Sequence, residues 1–157
     1  MTELAFIRPD EWNFPLFIHV LGALALTGAT VFALTSLAAA WRGGSLAATR
    51  NGYRALLIGV IPAWIVMRVG AEWIADKEGY IDLDEPPAWI DIGFMTAEPV
   101  FLLVIIATVL AGLAVRRAGR TDGGDTPSVG VRVAAGMTAF ALAAYIVALW
   151  AMTTKPD

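Results

Sequence analysis

The stretch Phe14–Trp41, FPLFIHVLGALALTGATVFALTSLAAAW, decides the fold. It carries no Asp, Glu, Lys or Arg, and His19 is its only ionisable side chain. It also exceeds the ~20 apolar residues that a helix needs to cross a ~30 Å hydrocarbon core. Three comparable stretches follow, at about 53–75, 89–115 and 131–152. Membrane β-strands would instead appear as segments of ~9–11 residues with alternating polarity, which these stretches lack. The sequence therefore predicts an all-α integral membrane protein, a four-helix up-down bundle forming a single domain over residues 1–157.

Composition agrees. Hydrophobic residues make up 58% of 157 positions and the mean hydropathy is +0.68, against roughly 45–50% apolar residues in ordinary globular chains. The chain has no cysteine, which rules out disulfides, zinc–thiolate sites, iron–sulfur clusters and thiol catalysis. It also lacks a Walker loop, a dinucleotide glycine fingerprint, an HExxH pair and a GxSxG elbow. With a net charge of -3, nucleic acid is not an expected partner. The first apolar run is too long for a signal-peptide core and has no basic flank, so no cleaved signal is expected.

The connectors set the orientation. Arg42-Gly43-Gly44-Ser45 and Gly119–Pro127 are rich in turn residues, whereas Asp76–Pro87 is acidic and ends in Pro86-Pro87. Arg42, Arg50, Arg54, Arg116, Arg117, Arg120 and Arg132 belong to the first and third connectors or their helix ends, while Arg8, Lys77 and Lys155 are scattered on the opposite side. By the positive-inside rule, the first and third connectors face the cytoplasm, and both termini and the acidic loop are extracytoplasmic. The expected location is a cell membrane, the inner membrane of a bacterium. Trp12, Trp73, Trp89 and Tyr80 at the outer ends, with Trp41 and Tyr53 at the inner ends, read as interfacial anchors.

Arg68, Glu72, Asp91 and Glu98 interrupt the second and third spans. Charges in hydrocarbon are costly, so they face a bundle interior, pair with one another or mark a pathway. In an up-down bundle they share one end with His19. Arg68 and Glu72 are spaced i, i+4, on one helix face where they can pair, and Glu98 is the candidate third member of the network. Each residue also has a structural reading. His19, with Gly22, Ala23 and Thr30 on its face, is a packing histidine, a haem or metal ligand, or a proton-handling group. Arg68 with Glu72 is a neutralised structural pair or a transport element. Glu98-Pro99 marks a helix kink. Met67, Met95, Met137 and Met152 show no clustered motif and read as apolar filling. The acidic loop lacks EF-hand spacing.

Phe17-Ile18-His19-Val20-Leu21-Gly22-Ala23, with Gly28 further on, resembles the first helix of bacterial four-helix integral membrane proteins of unknown function that share a His-xx-Gly pattern. It is distantly similar to the copper-resistance D-type and related haem-associated membrane proteins. Gly70-Ala71-Glu72-Trp73-Ile74, Tyr80 and Trp89-Ile90 carry the resemblance to the end of helix two and the start of helix three. The resemblance implies a four-helix bundle whose first-helix histidine acts in copper or haem handling. The departure is that His19 is the only histidine, so a bis-histidine haem cannot be built from one chain.

The expected function is a small polytopic membrane protein whose extracytoplasmic polar site, built from His19, Arg68, Glu72, Glu98 and Asp91, binds or conducts a small ligand, haem or a metal ion held by His19. The alternative is an accessory subunit that packs against a larger respiratory or transport complex. The alanine-rich fourth span permits self-association or a partner as well as contact with lipid. An enzyme using Glu98 or His19 as acid or base has less support, because no nucleophile and base can be paired from spacing.

Overall fold

A computed structural model describes residues 12–81, 83–85, 87–120 and 129–155. The expectations for Arg8, Asp82, Pro86 and the loop residues Thr121–Pro127 lie outside these. Four helices account for most of the described chain: α1 over Asn13–Gly43, α2 over Leu46–Lys77, α3 over Ala88–Ala118 and α4 over Val129–Thr154. All four are long and apolar enough to cross a membrane, which makes this a multi-pass membrane protein.

Each helix packs on its sequence neighbour, and α1 closes the ring against α4. The core consists mostly of small side chains, Ala33, Ala107, Ala111, Ala134 and Ala141 among them, with Leu37, Leu56 and Val104 filling between. Lipid is as apolar as leucine, so helices in a membrane associate through close van der Waals packing rather than hydrophobic burial, and small residues allow that approach. The buried hydroxyls of Thr30, Thr108 and Thr138 donate to Leu26, Val104 and Ala134 carbonyls at 2.7 Å. These bonds within each helix satisfy the three buried threonine donors.

The second span begins earlier than hydropathy indicates. It starts at Leu46 rather than near Tyr53, and the first connector shrinks to Gly44-Ser45. Gly44 ends α1 at a left-handed φ of 65°, with its N–H on the Ala40 carbonyl at 2.8 Å. Ser45 then caps α2 by accepting from the Ala48 N–H at 3.2 Å. Arg50, Asn51 and Arg54 lower the hydropathy of this first part without breaking the helix. Tyr53 consequently lies inside α2, where its ring packs over Gly112 of α3.

Between Ala55 and Val60 the helix widens into a π turn, and the Ile61 N–H reaches back five residues to Leu56. Pro62 follows directly. It has no N–H, and its ring crowds the carbonyl four residues earlier, so a wider turn just before it relieves both problems. One inserted residue rotates everything beyond it by roughly 100°. That rotation sets which face of α2 carries Met67, Arg68 and Gly70.

Candidate functional site

The site lies at the end of the bundle where α1 begins and α4 finishes. Its frame is the α1–α2 seam. A Cβ added at Gly22 would stand 2.6 Å from the Met67 Cα, and one added at Gly70 would stand 2.7 Å from the His19 Cα. The contacts are reciprocal, with His19 against Gly70 and Gly22 against Met67, so a His-xx-Gly in one helix interlocks with a Met-xx-Gly in the other. The missing side chains let the backbones touch. That approach brings His19 Nδ1 to 3.0 Å from the Met67 carbonyl oxygen. A carbonyl can only accept, so Nδ1 carries the proton and donates, and in the neutral imidazole Nε2 is then the acceptor nitrogen.

The second group is ionic. Arg68 Nη2 lies 3.0 Å from Glu72 Oε1 and 3.2 Å from Glu98 Oε1, joining α2 to α3. The helix backbones are close near Leu46–Arg54 and draw apart toward the site end, so side chains span the gap. Trp64 stacks on Phe101 at 3.8 Å and donates Nε1–H to the Ala97 carbonyl at 3.3 Å. Phe94 lies under the guanidinium, 4.5 Å from Cζ to the ring centre. The arginine side chain is 16% exposed, against 57% for Glu72 and 69% for Glu98. The cation therefore faces inward and the carboxylates face the bundle perimeter. Glu98 is ten residues into α3 and Arg68 nine from the end of α2, or ~14–15 Å along each axis. Both helices exceed the ~30 Å core, so the carboxylates fall within side-chain reach of one headgroup layer, where their charge is tolerated.

Behind these groups are two adjoining cavities. The inner one, about 100 Å³, is bounded by His19, Met67, Arg68, Phe94, Tyr145 and Met152. The outer one, about 440 Å³, shares His19, Phe94 and Met152 and reaches Glu78, Trp89 and Lys155 at the end of the bundle. There Tyr80 meets Trp89 edge-on at 5.5 Å, and Lys155 Nζ sits 4.8 Å over the Trp89 ring. Tyr145 Oη and Arg68 Nη1 are buried and hydrogen-bond to no other described group. Both residues line the inner cavity.

Of the residues singled out from the sequence, His19 and Arg68 face one cavity, and Glu72 and Glu98 hold Arg68 from outside. Asp91 stays apart, exposed in the first turn of α3 and lining neither cavity. Tyr145 was hidden among the alanines of α4. It is nine residues from the helix end, at the level of Arg68, and that depth is the signal that could have found it. Met67 and Met152 come together only through the fold. Among the described residues, no three His, Asp or Glu side chains gather as metal ligands, so a metal here would depend on His19 Nε2 and thioethers. Compared with protein-family models, curated proteins and solved structures, the chain matches none.

Proposed function

We propose that this protein is a membrane binding protein that takes a small, lipid-dissolved ligand into the paired cavities. The observation that carries the reading is that Tyr145 and Arg68, whose Oη and Nη1 are buried without a partner, both line one mostly apolar chamber. Leaving buried polar groups unpaired costs ~1–3 kcal/mol each, a cost a ligand offsets when it arrives with matching atoms. Pockets of roughly 300–1,000 Å³ with an apolar lining and few polar groups are the usual form of small-molecule sites. The arginine-rich helix ends lie at the opposite end of the bundle, which supports a cytoplasmic position for that end and an extracytoplasmic one for the site.

The test compares small molecules extracted from wild-type protein, purified in mild detergent, with those from the chamber-blocking variants Ala148→Phe and Ala71→Phe. A species carried by the wild type and missing from both folded variants is the expected result. The same complement in all three would sink the reading.

A second reading is favoured by one observation. Met67 and Met152 share the inner cavity with His19, and an imidazole nitrogen with thioethers is a donor set that suits haem iron or Cu(I). A Soret band in the purified protein that disappears in His19→Asn would select this reading.

A further inference from the structure

The polar atoms of the chamber specify the chemistry of what it holds, on the premise that it is a ligand site. Tyr145 is 7% exposed, and its hydroxyl is unpartnered. Arg68 Nη1 is likewise unpartnered and can only donate. In the neutral imidazole of His19, with Nδ1–H committed to Met67, Nε2 is an acceptor. The residues that line the chamber thus supply an arginine donor, a tyrosine hydroxyl that can donate or accept, and the acceptor nitrogen of a neutral imidazole.

Charge separates an anionic head from a neutral one. Arg68 is already engaged by Glu72 and Glu98, one positive charge against two negative. A carboxylate or phosphate entering from the cavity side would add a third negative charge in a poorly screened place. A carbonyl oxygen accepts from both donors and adds none.

Access points to the bilayer. The outer cavity is bordered by Val20 and Leu24 of α1 and Leu149 of α4, which are 46%, 66% and 49% exposed on the bundle perimeter. An apolar molecule in the lipid therefore meets an apolar border between two helices. Phe94 lines both chambers and offers a ring face or edge to a planar head.

We infer that the occupant is a neutral, lipid-dissolved quinone or quinol. One ring oxygen accepts from Tyr145 and Arg68. In the quinol form a ring hydroxyl donates to His19 Nε2, so the reduced form is held more tightly than the oxidised form. The protein binds and discriminates between the two forms, and no electron transfer is assigned to it.

The experiment uses full-length protein in phosphatidylcholine nanodiscs, with empty discs as the partition control. Three probes are compared at equilibrium: a decyl-substituted benzoquinone, its quinol, and decanoate as an anion of the same chain length. Expected is saturable binding of one quinone or quinol per protein, with quinol favoured several-fold. Tyr145→Phe should weaken both about tenfold. His19→Asn keeps an amide donor where Nδ1 stood and removes the acceptor at Nε2, so it should abolish the quinol preference while leaving quinone affinity within about twofold.

Tighter binding of decanoate than of either ring compound overturns the quinone assignment and leaves the ligand site standing. Quinone binding that is indifferent to both substitutions overturns it as well, since the probe would then be held elsewhere. If no probe exceeds the empty discs, the quinone assignment fails. The extraction comparison with Ala148→Phe then decides separately whether the cavity holds any ligand.

Discussion

Gly70 of α2 lies against the backbone of His19 in α1, so close that a Cβ added to it would stand 2.7 Å from the His19 Cα. Gly70→Ala should therefore force the seam apart, and because backbone rather than a flexible side chain is in the way, the cost falls toward the upper part of the ~1–3 kcal/mol typical of overpacking. Gly22→Ala should behave alike, since it meets Met67 in the same manner. Gly28→Ala is the control: nothing lies within 4 Å of its added Cβ, and alanine is the better helix former by roughly 0.5–1 kcal/mol. Unfolding titrations in mixed micelles give the ordering. Gly70→Ala matching Gly28→Ala would mean that the seam does not hold the helices as described.

Tyr145 separates stability from binding. Its hydroxyl is buried without a partner, so Tyr145→Phe removes a group that costs free energy in the unliganded protein. Ligand-free Tyr145→Phe should be as stable as the wild type or about 1 kcal/mol more so, although it retains less ligand. A loss of 2 kcal/mol or more in the ligand-free protein would show that the hydroxyl has a structural partner instead.

The spans were legible because hydropathy over ~20 residues is a strong signal, and so was the shared depth of His19, Arg68 and Glu98. The first turns of α2 were not, because Arg50, Asn51 and Arg54 look like loop residues unless the Ser45 cap is recognised. The π turn was not legible either: Pro62 announces a disturbance, but whether a helix kinks, breaks or widens depends on its neighbours. Reading Glu98 as a partner for Arg68 needed only depth and charge. Reading Tyr145 into the same chamber needed the rotation of α4, which a helix with small residues on most faces does not reveal.

Arg68 holds two carboxylates, so removing it alone is worse than removing all three charges. Arg68→Met leaves Glu72 and Glu98 facing each other across a gap between helices, with an expected loss of about 2 kcal/mol. This is below the ~3–5 kcal/mol typical of a fully enclosed pair, because both carboxylates can turn toward the headgroup layer. The triple variant Arg68→Met, Glu72→Leu, Glu98→Leu should recover most of that loss. Unfolding curves for the two proteins decide the matter, and a triple variant less stable than the single one would mean that the ion pairs contribute net stability.

The arginines predict an orientation by the positive-inside rule, and the absence of cysteine makes it directly measurable. Single cysteines belong where the backbone tolerates them. Gly44 and Gly79 are poor choices because their φ values of 65° and 74° strain any side chain. Gly43, the last residue of α1, has open space where a Cβ would stand, and Asp84 is exposed in the acidic connector. In intact cells an impermeant thiol reagent should label Asp84→Cys and spare Gly43→Cys until the membrane is opened. The reverse pattern would place the cavity mouth, with Lys155 over Trp89, on the cytoplasmic side. It would also mean that Arg42, Arg50, Arg54, Arg116, Arg117 and Arg132 mark the outer face, against the positive-inside bias.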